Sequence, residues 1–262
     1  MGTNPNRRPE KEIMGSDGGD IEGIFEWEPR EGREKLKHNL TLIGKIWTTK
    51  TVNAKAVIDT MTKLWNSPKP IIGNIVDVKE KIFVFKFPDL REKEKVLAGQ
   101  PWHFDKSVWC FNEPNEDGKM TDVPLHRLPI WARIYDLPIS GRSNDSNIQR
   151  LSGQLGTFVA KGEDEEDGVD RAIRIRVLHD VHNPVKSSVA IKMRGGDVVR
   201  FDVKYEKLPN FCYGCGLIVH GERDCDEGPY EEHELRFGDW LRASPRKSLE
   251  LQARLTRKQL RT

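Results

Sequence analysis

The sequence predicts an α+β protein: a ferredoxin-like (RRM-like) domain, a second β-rich subdomain and a small cysteine–histidine module. Three observations carry this. Over residues 39–115 the apolar pattern runs strand, helix, strand, strand, helix, strand, the split βαβ order of ferredoxin-like domains. Over 128–207, alternating apolar and polar runs succeed one another in the manner of an antiparallel sheet. Over 208–227, three of the chain's four cysteines cluster with a histidine.

The elements follow in order. Leu40, Leu42, Gly44 and Ile46 alternate with Thr41, Ile43, Lys45 and Trp47, a period of two that reads as a strand. Asn53 caps a helix with Ala56, Val57, Thr60, Met61 and Leu64 on one stripe, stopped by Ser67-Pro68. Strands follow near 71–78 and 82–87. Asp89 and Glu92 then form an approximate capping box for a short helix ended by Gly99 and Pro101. A last strand spans 107–111. After a proline-rich joint, residues 130–135 read as a strand. Ser143 caps a helix aligned on Ile148, Leu151 and Leu155, and Gly156 closes it. Strands are expected over 172–178, 188–193 and 198–205, with Arg194-Gly195-Gly196-Asp197 as the hairpin turn.

Composition excludes several classes. The chain has 262 residues, 36% hydrophobic and 32% charged, enough for one large domain or two modest ones. No apolar run reaches the ~18 residues of a membrane span, and the start, MGTNPNRRPE, has no apolar secretory region. Gly2 is not followed by the Ser or Thr of a myristoylation motif, since Asn6 stands there. The expectation is an intracellular protein, of nucleus or cytoplasm, with no membrane partner. Residues 1–38 are rich in Gly, Pro, Asn and charge and read as a disordered arm. Residues 228–262 read as an acidic flank followed by a basic tail, a possible contact for protein partners.

The strong motif is Cys212-x2-Cys215-x4-His220-x4-Cys225. Zinc takes four tetrahedral ligands from thiolate and imidazole, and these spacings let a few residues wrap one ion. In a chain without an export signal, the clustering favours metal over disulfides. The expected cofactor is one Zn²⁺ per chain, held by Cys212, Cys215, His220 and Cys225. The spacing is that of a CCHC zinc knuckle, a module that takes single-stranded RNA or DNA. Tyr213 is the candidate stacking ring, with Leu217 and Ile218 as an apolar floor; a ring that only shields the metal is the alternative. Phosphates need another surface, because residues 212–234 carry a side-chain charge of −6, between segments of +5 (171–211) and +6 (235–262). Arg174 with Arg176, and Lys192 with Arg194, pair on strand faces and are the candidate phosphate floor, against an ordinary solvated sheet face.

The residues Leu208-Pro209-Asn210-Phe211-Cys212 resemble the lead into the plant-type CCHC knuckles of LINE-like retrotransposon proteins. Gly44-Lys45, Trp65, the 83–87 strand, Gly99-Gln100-Pro101-Trp102-His103-Phe104 and Trp131-Ala132-Arg133-Ile134-Tyr135-Asp136-Leu137-Pro138 are similar to the uncharacterised plant domain that precedes such knuckles. Phe237-Gly238-Asp239-Trp240-Leu241-Arg242-Ala243 fits as well. The resemblance covers roughly residues 39–245. It implies a retroelement-derived nucleic-acid-binding protein with no enzymatic activity.

Weaker patterns have plainer readings. Phe83, Phe85 and Phe87 share a strand face as stacking rings would, but three phenylalanines in a row of this kind are more often core. His179, Asp180 and His182 read as a polar loop before they read as a metal site. Cys110 reads as a buried apolar residue. The acidic run 163–167 has consecutive carboxylates that point apart, and no nucleophile–base pair stands out. The sequence therefore favours non-catalytic binding of single-stranded nucleic acid. A protein-interaction scaffold with a purely structural knuckle is the runner-up.

Overall fold

The computed structural model describes residues 39–114, 119–162 and 172–244. The expected arm (1–38), the acidic run 163–167, Arg171 and the basic tail 246–261 lie outside the described residues. Among those described, no helix is long and apolar enough to cross a membrane.

The first half contains β1 (Thr41–Trp47), α1 (Ala54–Trp65), β2 (Ile72–Asp77), β3 (Ile82–Lys86), α2 (Leu90–Ala98), β4 (His103–Phe104) and β5 (Ser107–Asn112). Its sheet runs β2-β3-β1-β5-β4, with every pair antiparallel. Without the short β4, this is the strand order of a ferredoxin-like domain, as the periodicity predicts. The hairpin from β4 to β5 was not expected. It turns through Asp105 and Lys106, both at positive φ (45° and 63°), without the Asn-Gly pair that usually announces such a turn.

The caps of α1 and α2 are those the sequence names. Asn53 Oδ1 accepts from the Ala56 N–H, and Asp89 Oδ1 from the Glu92 N–H, both at 3.1 Å. The stripe on α1 is rotated from the expected one. Val57, Met61 and Trp65 are buried, while Leu64 is 51% exposed. Trp65 wins the inward position because its indole packs among Phe85, Phe87, Trp102 and Phe111. That aromatic core lies between the sheet and the helices and holds Phe83, Phe85 and Phe87, so these three rings are core. Gly44 belongs to it by necessity: a Cβ there would stand 2.5 Å from the Phe111 ring.

The sheet's opposite face, the one that RNA-recognition folds present to bases, is covered. Ile43 and Ile82 pack on Val123 and Leu125. The Trp47 indole N–H donates to the Leu125 carbonyl at 2.7 Å. Val108 and Cys110 enter the second core beside Leu128 and Ile130. The two halves thus share apolar side chains across one face of β5.

The second half contains β6 (Arg127–Tyr135), α3 (Asp145–Ser152), β7 (Thr157–Lys161), β8 (Ala172–Asp180), β9 (Ser188–Lys192) and β10 (Val198–Glu206). Its antiparallel sheet runs β7-β8-β6-β10-β9. α3 is capped one residue later than expected: Asn144, not Ser143, accepts from the Ser146 and Asn147 N–H groups. Its buried residues, Ile148 and Leu151, join Ile130, Ile175 and Val203 from three strands. Strand β7 had no signal in the sequence, because a register shift between Phe158 and Ala160 breaks its alternation.

Candidate metal centre and its surroundings

The four residues of the cysteine–histidine motif come together. Their ligand atoms all lie within 4.8 Å of one another. The chain is wrapped by a Gly216 N–H donating to the Cys212 carbonyl (2.8 Å) and a Cys212 N–H donating to the Leu217 carbonyl (2.9 Å). The Cys215 N–H points at Cys212 Sγ, 3.5 Å away. Gly216 sits at φ +82°, a left-handed conformation that favours glycine, and a Cβ there would also press on Phe237 and Pro184.

The donor set fits zinc. With Zn–S near ~2.3 Å and Zn–N near ~2.0–2.1 Å, neighbouring ligand atoms of a tetrahedral site stand roughly 3.4–3.8 Å apart. Cys215 Sγ and His220 Nε2 are 3.4 Å apart. Without an ion, burial pushes the Cys215 thiol up to about 12. At Cys225 burial also raises the thiol, but hydrogen bonds from the Tyr230 hydroxyl and the Glu227 N–H outweigh it, leaving about 7. A bound cation would remove both protons, because the thiolate is the ligand.

The wrap is fastened to the second sheet. Phe211 and Ile218 are buried in that sheet's core, together with Leu208 and Leu241. The Val185 N–H donates to the Gly216 carbonyl and the Phe237 N–H to the Tyr213 carbonyl, both at 2.9 Å. Arg242 donates to the carbonyls of Leu208 and Pro209. The module is therefore an extension of the sheet's own core.

This packing corrects part of the expected base-stacking surface. Ile218 is 2% exposed and cannot serve as an open floor, since its side chain fills the core. Leu217 is half-buried. Tyr213 keeps a partly open ring, with its centroid 5.0 Å from Phe211 and its hydroxyl donating to Asp239 Oδ1 at 2.7 Å. Sequence reasoning passed over Trp240. It stands next to Asp239 and is 57% exposed, and its place in a single short turn, Asp239–Leu241, gave no periodic signal.

The four residues expected to form a phosphate floor differ in how open they are. Arg174 and Arg176 do share a face, opposite Arg133 and Trp131 of β6. That face is internally paired. Arg174 donates to both oxygens of Glu206 (2.9 and 3.0 Å), and Arg133 donates to Oε1 at 2.7 Å. Arg176 donates to the Leu97 carbonyl at 3.3 Å. These arginines are committed to carboxylate and carbonyl partners, so they do not form an open floor. Lys192 and Arg194 are exposed, with no ion pair among the described residues. His179 is taken up by the carbonyls of Leu155 and Asn183, and burial holds it below the usual histidine range. His182 meets Asp180 at 3.0 Å. Neither histidine joins a metal cluster among the described residues.

Comparison with known families bears on both halves. Residues 179–227 match the family described as zinc knuckle. Within that match, the Cys212–Cys225 segment carries the knuckle's full ligand set. The four ligands form a site for one zinc ion per chain. The match begins at His179, so it takes in β9 and β10 as well as the knuckle, in keeping with the shared core. Residues 34–111 match a domain of unknown function, DUF4283, which covers the ferredoxin-like half. No curated protein matches the chain. Among solved structures, a chain of an SXL-lethal protein/RNA complex is similar over 63% of this chain and 98% of its own, at 14% identity and a TM-score of 0.26.

Proposed function

We propose that the chain is a non-catalytic, zinc-dependent protein that binds single-stranded RNA or DNA, derived from a plant LINE-type retroelement and working in the nucleus or cytoplasm. The observation that carries this reading is a complete Cys-Cys-His-Cys cluster inside a segment matched by the zinc-knuckle family. Knuckles recognise unstacked bases and not duplexes. The succession of a DUF4283-type domain and a knuckle supports the retroelement origin. Tyr213 and Trp240, both with open ring surface, support base stacking.

The knuckle's own charge requires that the phosphates be held elsewhere, since residues 212–234 carry −6. Fluorescence anisotropy of labelled single strands against the zinc-loaded chain, titrated with salt, tests the reading. Binding that weakens steeply with salt and is lost on chelation is the expected result. Absence of binding at low salt leaves the second reading, a protein-interaction scaffold. That reading is favoured by one observation, the burial of Phe211 and Ile218, which gives the zinc a purely structural task.

A further inference from the structure

Gln154, just beyond α3, clasps the open edge of the second sheet. Its Nε2 donates to the Ala190 carbonyl at 2.8 Å, and its Oε1 accepts from the Ala190 N–H at 3.0 Å. Beside this clasp, between α3 and the β9–β10 hairpin, lies a cavity of about 910 Å³. Arg142, Arg150, Lys192 and Arg194 line it, and no carboxylate does. Ile191 and Met193 supply an apolar floor. The volume is at the upper end of the ~300–1,000 Å³ of pockets that enclose whole ligands.

Three of the cations here differ from those that carboxylates hold elsewhere in the fold. Arg133 and Arg174 share Glu206, Arg242 holds Asp239 and Lys93 holds Glu113. Arg150, Lys192 and Arg194 have no ion pair among the described residues. Arg142 donates to the Leu137 carbonyl at 2.8 Å and so fixes the loop that forms one wall. Like charges gathered around one cavity repel each other, and a polyanion relieves that repulsion while releasing its counterions.

We propose that this groove is the phosphate-binding surface for single-stranded nucleic acid, with Arg150, Lys192 and Arg194 contacting successive phosphates. The proposal rests on the nucleic-acid reading above and locates its electrostatic half. It moves that half away from Arg174 and Arg176.

The test uses the full zinc-loaded chain and labelled dT and U homopolymers of about 20 nucleotides, longer than the ~4–16 covered by one binding module. In the triple variant Arg150→Ala, Lys192→Ala, Arg194→Ala, affinity should fall roughly tenfold or more at moderate salt. The slope of log affinity against log salt should flatten by about 2, at ~0.7 per single-strand phosphate contact. A control removes the same charge elsewhere, at the exposed Lys55, Lys63 and Lys79, and should keep most of the slope. Arg150→Lys with Arg194→Lys should restore binding, and an unchanged thermal midpoint confirms that the triple variant is folded. If the wild-type chain binds but the triple variant matches it, or loses no more than the control, the groove is the wrong surface and the nucleic-acid reading stands. If the wild-type chain binds neither strand at low salt, both fall together.

Discussion

Arg174 lies over Trp131, its guanidinium carbon 3.5 Å from the ring centroid, while its nitrogens hold both oxygens of Glu206. The arginine is thus sandwiched between an aromatic face and a carboxylate, and Arg133 completes the group from the next strand. Planar, weakly hydrated guanidinium suits this stacked and forked arrangement, which lysine would not reproduce. The cluster ties β8, β6 and β10 together on the side of the sheet away from α3.

Removing its single carboxylate should be costly. Glu206→Ala leaves Arg133, which is 7% exposed, without its anion, and an uncompensated buried charge is worth about 3 kcal/mol or more. Denaturant unfolding should show that loss. Arg174→Lys should recover only part of the wild-type stability.

The same carboxylate gives a pH dependence. Burial raises the Glu206 pKa, but the hydrogen bonds and charges of Arg174 and Arg133 outweigh it and hold the group below its ordinary value. A depressed folded-state value means the contribution is whole above the unfolded carboxylate value, ~4.3, and is lost as the pH falls through the depressed one. The wild-type chain should lose stability more steeply below that pH than Glu206→Gln, which has no proton to take up. Thermal midpoints of the two proteins across the acid range decide this.

The arginine cluster also shows where the sequence stopped being informative. Alternation in β8 tells that Arg174 and Arg176 share a face. It cannot tell that Glu206, 32 residues on, lies across from them. The first domain and the metal ligands were legible because their evidence is local: period-two runs, Asn53 and Asp89 as caps, and four ligands within 14 residues. Ile218 and Leu64 were misjudged for one shared reason. Which apolar side chain turns inward is decided by partners distant in sequence: Phe85, Phe87, Trp102 and Phe111 draw in Trp65 in place of Leu64, and the second sheet's core takes up Ile218.

Metal removal should reach beyond the knuckle. Phe211 and Ile218 are core residues of the second sheet, so losing the wrap loosens β10 and the 184–186 segment bonded to Gly216. Metal analysis should give close to one equivalent of zinc, lost in Cys215→Ser. Chelation should lower the thermal midpoint and speed amide exchange in β10 well before β1 and β3. Uniform exchange throughout would show instead that both sheets open as one unit.

Gly44 tests the aromatic core without touching the metal. The missing Cβ is what lets the Phe111 ring close over β1, with Trp109 stacked beside it at 5.0 Å. Gly44→Ala forces that ring aside, and overpacking of this kind costs about 1–3 kcal/mol. The loss should appear in unfolding experiments with zinc content unchanged.

Trp240 and Tyr213 separate stacking from electrostatics. If bases lie against the knuckle, the open Trp240 indole is the larger platform, while Tyr213 is tethered through its hydroxyl to Asp239. Stacking on an aromatic ring is worth ~1–3 kcal/mol per base and involves no counterions. Trp240→Ala should therefore weaken oligonucleotide binding by about 5- to 150-fold at fixed salt, as ~1–3 kcal/mol implies, and leave the salt slope unchanged. Tyr213→Phe keeps a ring but frees it from Asp239, and its effect should be smaller. Quenching of indole fluorescence on binding, absent in Trp240→Ala, would locate the contact directly. Equal affinity of Trp240→Ala and the wild-type chain would show that bases do not reach this side of the knuckle.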